Sequence, residues 1–183
     1  MEREIQNNYF TVRTSKEDID SGGLVEVIKK DGWMSSEVII VNCFPYYSSR
    51  LTQYVNHRLS HLNKNELYEQ VVLEMPHNSS NQVWNSISKS YEIFDTYLKS
   101  WVNENVYSSV KYLFVSSDTT EVRELNKIRT SVRQVLDNSN FRFASLYIYK
   151  NSKFIPDYYV YEVDREKQGE ILFQWENIDN PNY

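Results

Sequence analysis

The chain has 183 residues, with 20 Lys plus Arg against 25 Asp plus Glu and a formal charge of −5. That length suits one domain (residues 1–183) with a substantial core. The acidic balance and lack of any basic block exclude a dedicated nucleic-acid binder. No apolar stretch reaches membrane-spanning length, the first residues lack signal-peptide character, and the one cysteine, Cys43, allows no disulfide framework. A cytoplasmic protein with no membrane association is therefore expected. Only four Gly and four Pro occur against 15 Tyr. Glycine lets ligand oxygens approach a backbone loop, whereas tyrosine joins an apolar body to a polar tip suited to interfaces and half-buried faces.

In chain order, residues 9–12 form a short apolar piece, and Thr14-Ser15-Lys16-Glu17 has the composition of a helix cap with an acidic first turn. Gly22-Gly23 is expected to break that turn, leaving Leu24, Val25, Val27 and Ile28 in a short helix stopped at Asp31-Gly32. Residues 38–43 are apolar apart from Asn42, the pattern of a strand buried on both faces. After Pro45, a helix over residues 46–62 carries Leu51, Tyr54, Val55, Leu59 and Leu62. Residues 69–75 are a second β-prone run, followed by a polar break at residues 78–81. The spacing of Val83, Ile87, Tyr91, Phe94, Leu98 and Trp101 predicts one long amphipathic helix.

Residues 112–115 make a third strand. Val122, Leu125, Ile128, Val132 and Val135 mark the stripe of the next helix, and residues 143–149 form a fourth strand. Two further β-prone runs, 158–163 and 170–175, flank a charged turn and are expected to add an edge or a short C-terminal β flap. The alternation predicts an α/β fold, a single domain with a mostly parallel sheet of four or five strands and helices on both faces.

The junction of the third strand with its helix, residues 111–133, is the most informative stretch. An apolar run meets Ser116, Ser117, Asp118, Thr119 and Thr120 just before an amphipathic helix. Such a junction lies at the carboxyl end of a strand, where free N–H groups of the next helix attract anions, so these five residues are candidates for a phosphate or ribose site. The same residues also read as a plain cap, with Ser117 or Asp118 accepting from first-turn amides and Glu121 at the positive end of the helix dipole. Arg50, Arg123, Arg129 and Arg133 are the nearest cations; Arg129 and Arg133 stand one turn apart, spaced either to grip a phosphate or to sit on a solvated face. His57 and His61 have an i, i+4 spacing that suits a metal, but only the remote His77 and Cys43 offer a third ligand, and no metal site is assigned. Cys43 reads as a small buried hydrophobe rather than a nucleophile. No triad order, zinc cluster or Walker loop occurs, and no catalytic residue is assigned.

Taken together, these features resemble the type I phosphoribosyltransferases, in particular the purine-type members. In that family a hydrophobic strand ends in two acidic residues and continues into a short Thr/Gly-rich loop and a helix. Residues 112–117 fall over the strand and acid pair, and residues 118–123 over the loop. Phe154-Ile155-Pro156-Asp157-Tyr158-Tyr159-Val160 resembles the family's Pro-Asp-Tyr segment, and Leu172-Phe173-Gln174-Trp175-Glu176 its terminal Phe-Pro-Trp-Glu. The similarity spans roughly the last 75 residues. It implies a phosphoribosyl pyrophosphate-type ligand, Mg²⁺ if transfer takes place, and Trp175 stacking on a base; by its residue type alone Trp175 reads equally as a pin of the C-terminus to the core.

Three departures accompany the resemblance. Ser116 and Ser117 replace the acids that hold the ribose hydroxyls, and a serine brings no charge. The loop glycine is replaced in the region of Glu121, whose charge at ~5 Å opposes a phosphate by about 3 kcal/mol at an effective dielectric near 20. The family's glycine pair after the first core strand falls on Asn42-Cys43-Phe44-Pro45. The chain is accordingly expected to be a phosphoribosyltransferase-like protein with a degenerate active-site loop. It would bind a nucleotide or sugar-phosphate-like ligand without catalysis, or act through a protein partner or as a homodimer. Two alternatives stand beside this: an active phosphoribosyltransferase using a purine-like base, and a regulatory or host–phage interaction protein without a small ligand.

Overall fold

The computed structural model describes residues 9–12, 14–34, 38–60, 72–74, 82–85 and 90–173. In chain order these give β1 (Tyr9–Val12), α1 (Thr14–Lys30), β2 (Val38–Asn42), α2 (Pro45–Ser60), β3 (Val72–Glu74), β4 (Gln82–Asn85), β5 (Ser90–Ile93) and α3 (Phe94–Asn105). There follow β6 (Lys111–Ser116), α4 (Val122–Val132), β7 (Phe141–Tyr149), β8 (Tyr158–Val163), α5 (Arg165–Gln168) and β9 (Glu170–Phe173). Five strands lie side by side in the order β3-β2-β6-β7-β8, every neighbouring pair parallel. The apolar runs of β2 and β6 place them in the middle of this sheet, where Val41, Leu113 and Phe114 are fully buried.

Helices cover both faces, as the alternation of elements predicts. Leu24, Val25 and Ile28 of α1 and Leu51, Val55 and Leu59 of α2 pack on Ile40, Leu113 and Leu146. On the opposite face, Leu98, Trp101 and Val102 of α3 and Leu125, Ile128 and Val132 of α4 pack on Val41, Phe114 and Phe143. The two C-terminal runs divide: β8 is the edge of the main sheet, while β9 pairs in parallel with β1 as a separate two-stranded ribbon. The charged turn becomes the short helix α5, with the Asp164 carboxylate accepting from the Glu166 amide at 3.2 Å.

Two expectations are corrected. The long helix over residues 83–101 is instead an antiparallel hairpin, β4 paired with β5, and α3 begins only at Phe94. Val83, Trp84, Tyr91 and Ile93 are β-branched or aromatic, and that propensity prevails over a spacing that also fits a helix. Gly22-Gly23 does not break α1, which runs unbroken from Thr14 to Lys30. The glycines sit where the helix meets its neighbours. A Cβ on Gly23 would lie 3.4 Å from Val160 Cγ1 of β8, and one on Gly22 3.7 Å from the Tyr54 hydroxyl of α2. Gly32, at φ +67°, supplies the left-handed turn that ends the helix. The end of the 46–62 helix past Ser60, Ile87, the polar break at 78–81, His61, His77 and Trp175 lie outside the described residues.

The link from β7 to β8, residues 150–157, carries no helix, although parallel neighbours usually need one. Phe154 takes its place. Its fully buried ring meets Phe143 edge-on at 5.3 Å, and the Arg129 guanidinium lies 4.0 Å above it and donates to the Ile155 carbonyl at 2.8 Å.

The two glycines should respond oppositely. Gly22→Ala is expected to stabilise the protein by about 0.5–1 kcal/mol through helix propensity. Gly23→Val should cost about 1–3 kcal/mol by pressing α1 off β8. Urea unfolding of the two variants measures both.

Candidate functional site

The candidate residues follow β6, where the sheet ladder between β6 and β7 closes at Ser116 paired with Ser145. Ser116 is 2% exposed and its hydroxyl lies 2.6 Å from that of Ser145. The Ser117 carbonyl accepts from both the Leu146 and Tyr147 amides, at 3.2 and 3.1 Å, and the Ser117 amide donates to the Ser48 hydroxyl at 2.8 Å. Thr119 is 1% exposed, and its hydroxyl oxygen accepts from the Tyr149 amide at 3.2 Å. Of the expected phosphate or ribose ligands, Ser116 and Thr119 are thus turned inward onto β7.

Asp118 and Thr120 face the other way. The Asp118 carboxylate accepts from the Thr120 amide at 2.7 Å, closing a turn of the type Asp residues favour. The expected cap does not form: the helix starts after Glu121, which makes no side-chain capping bond. Asp118, Thr120 and Glu121 join Phe44, Ser48, Ser117 and Ile171 around a cleft of about 180 Å³. Phe44, where the resemblance places a glycine pair, supplies one apolar wall and Ile171 of β9 another.

Among the described residues, the ionisable groups lining the cleft, Asp118 and Glu121, are both acids. Burial raises the Asp118 pKa above its ordinary value, partly offset by the hydrogen bonds from the Thr120 amide and hydroxyl. Burial also raises Glu121, reinforced by the charge and hydrogen bond of Glu124 and then by the charge of Asp118. None of the four candidate arginines lines the cleft. Arg129 is held on the α4 face between Phe143 and Phe154, its guanidinium 4.8 and 4.0 Å from the two rings. Arg133 caps the far end of α4. Cys43 is 1% exposed and burial pushes its thiol pKa strongly upward, which removes it as a nucleophile.

Sequence reasoning named neither Ser48 nor Ser145, and it gave Tyr149 and Ile171 no role at the site. Ser145 did carry a signal, being the one small polar residue among the apolar and aromatic residues from Ala144 to Tyr149 of a nearly buried strand. Ser48, in the first turn of a helix that directly follows a strand end, carried another.

No protein-family model and no curated protein matches the sequence. Solved structures do match the fold. A purine phosphoribosyltransferase from Pyrococcus horikoshii Ot3 aligns with TM-score 0.58 and 13% identity over 92% of this chain and 94% of that one. The Helicobacter pylori xanthine-guanine-hypoxanthine phosphoribosyltransferase aligns with TM-score 0.59 and 14% identity over 92% of each chain. This chain has the phosphoribosyltransferase-like fold. A hypothetical protein from Neisseria gonorrhoeae with bound ppGpp shares it, with TM-score 0.56 and 12% identity over 93% of this chain and 90% of that one. Within the phosphoribosyltransferase-like frame the cleft lies at the carboxyl end of β6, where open α/β sheets hold ligands.

The raised carboxyl groups carry a pH signature. Each binds its proton more tightly in the folded than in the unfolded chain. The stability they contribute is therefore complete below the ordinary carboxylate range and is lost as pH rises through their raised values. Glu121→Gln should raise the urea midpoint at about pH 7, by no more than about 1 kcal/mol after solvent screening, and leave it unchanged near pH 3. A gain of equal size in acid would contradict the burial argument.

Proposed function

We propose that the protein is a non-catalytic member of the phosphoribosyltransferase-like fold. Its cleft takes a nucleotide-like ligand by the base or ribose, or serves a protein partner, and it does not transfer phosphoribosyl groups. The observation that carries this reading is the commitment of the Ser116 and Thr119 hydroxyls to Ser145 and to the Tyr149 amide. In phosphoryl-sugar chemistry those positions must grip ribose hydroxyls and phosphate oxygens, and hydroxyls only 1–2% exposed and turned onto β7 do not face a ligand. The acids Asp118 and Glu121 at the cleft add to this. They accept from N–H and O–H donors and repel phosphate. A neighbour in fold carries ppGpp, which supports a nucleotide as the ligand class. We place the protein in the cytoplasm, where a lone buried thiol needs no partner. No helix among the described residues is long and apolar enough to cross a membrane.

Titration calorimetry with phosphoribosyl pyrophosphate and Mg²⁺ should give no micromolar binding, and incubation with purine bases no product. Micromolar binding with product formation would establish the active transferase instead. Restoring the family acid at Ser116 tests the same point from the side of the protein. With Ser116 only 2% exposed, Ser116→Asp should destabilise the fold by about 3 kcal/mol and create no activity.

A further inference from the structure

The cleft holds its donors and acceptors at different depths. Ser48 is the most deeply buried of the lining residues. Its hydroxyl oxygen accepts from the Ser117 amide at 2.8 Å, and its proton meets no acceptor among the described residues. Unlike Ser116 and Thr119, which turn onto β7, Ser48 belongs to the lining, so this buried donor is offered to the cleft. Nearer the opening stand half-buried Asp118 and Glu121 and exposed Thr120. Asp118 accepts from the Thr120 amide at 2.7 Å, and Glu121 makes no capping bond, so carboxylate oxygens remain to accept from a ligand. Phe44 and Ile171 supply apolar walls. A volume of about 180 Å³ is below that of drug-sized pockets and suits a single ring.

We propose that the cleft binds an uncharged planar amide borne on an apolar ring, its carbonyl accepting from the Ser48 O–H and its N–H groups donating to Asp118 and Glu121, with the ring between Phe44 and Ile171. An amide joins an acceptor to adjacent donors in one plane, which is the combination the lining asks for. A carboxylate or phosphate has the acceptor but brings a negative charge against both acids. An amine suits the acids but gives the Ser48 proton no acceptor. Selection thus works by refusal as well as by fit: exchanging the amide nitrogen for a second oxygen turns hydrogen bonds into repulsion. The inference rests on reading the cleft as a ligand site and names the chemical class of that ligand. An amide outside the ring and a lactam within it share this chemistry.

Nuclear magnetic resonance titration of the full chain at neutral pH tests this with four probes of one ring each. Benzamide and 2-pyridone carry the amide outside and inside the ring, benzoate replaces it by an anion, and benzylamine by a cation. At least one amide should saturate in the millimolar range expected of so small a ligand, shifting the Thr120 amide and the Ile171 methyl signals; the tighter of the two identifies the source. Benzoate should bind at least about tenfold more weakly than benzamide. Glu121→Gln keeps the side chain's length and removes its charge, and should bring benzoate to within about threefold of benzamide. Ser48→Ala should weaken both amides and leave benzylamine unchanged, with circular dichroism confirming the fold of each variant. No saturation by either amide, benzoate equal to benzamide in the parent protein, benzylamine tighter than both amides, or shifts away from the cleft would each overturn the proposal. Phosphoribosyl pyrophosphate carries no amide. Failure of the amide titration therefore leaves the non-catalytic reading standing, and micromolar binding of phosphoribosyl pyrophosphate would remove that reading whatever the amides do.

Discussion

The structure around the cleft follows from a mismatch in strand length. β6 stops at Ser116 while its neighbour β7 continues from Ser145 to Tyr149. Beyond that point the buried amides of Leu146, Tyr147 and Tyr149 have no ladder partner in β6. Leaving a buried amide unpaired costs about 1–3 kcal/mol, so the chain after β6 must supply acceptors. It does so with the Ser117 carbonyl, used twice, and the Thr119 hydroxyl. Ser117 then needs an acceptor for its own amide and finds it in Ser48 of α2. The β6–α4 loop is therefore shaped by the needs of β7, and its polar atoms are oriented before any question of a ligand arises.

This explains which parts of the molecule were legible in the sequence. Strands β6 and β7 are largely apolar or aromatic runs buried on both faces, which leaves little freedom of interpretation, while β8 is an aromatic and β-branched edge strand with an exposed face. The hairpin of β4 and β5 was not legible, because Val83, Tyr91, Phe94 and Leu98 satisfy a helical period as readily as a strand alternation. Gly22 and Gly23 misled for another reason. Their local meaning is a break, but their tertiary role is to admit Val160 and Tyr54 close to the helix. At the site, the run Ser116 to Thr120 identified the loop, yet no spacing rule reveals which hydroxyl turns toward the core. That choice depends on the Ser116–Ser145 register, a contact between residues 29 apart.

The character of the cleft follows from the same choice. With Ser116 and Thr119 turned inward, the groups left to line the opening are Asp118, Thr120 and Glu121, beside Phe44 and Ile171. Phe44 and Ile171 are its apolar walls, and the ionisable side chains among the described lining residues, Asp118 and Glu121, are acids. Burial raises the pKa of both acids, and in their charged form they accept hydrogen bonds and oppose an anion. Arginine, the residue suited to balancing such a site against an anion, is present nearby but used elsewhere. Arg129 clamps the helix-free crossover between β7 and β8 through Phe143, Phe154 and the Ile155 carbonyl. Its guanidinium pKa is lowered by burial, opposed by the charge of Asp157, which marks it as a packed structural cation.

The two sides of β7 therefore hold the sheet by independent means. Past the end of β6, hydroxyls and a carbonyl satisfy its backbone. On the α4 face, Phe114 stacks on Phe143 at 4.9 Å, Phe154 meets Phe143 edge-on, and Arg129 covers the pair. Neither arrangement draws on a phosphate, a metal or a ribose for its partners. Substitutions at Asp118 or Glu121 alter the electrostatics of the opening without removing a partner from these contacts, since none of them involves either side chain. A fold so held can keep its architecture while the chemistry at its strand ends changes, which is how a chain 13–14% identical to phosphoribosyltransferases aligns with them over 92% of its length.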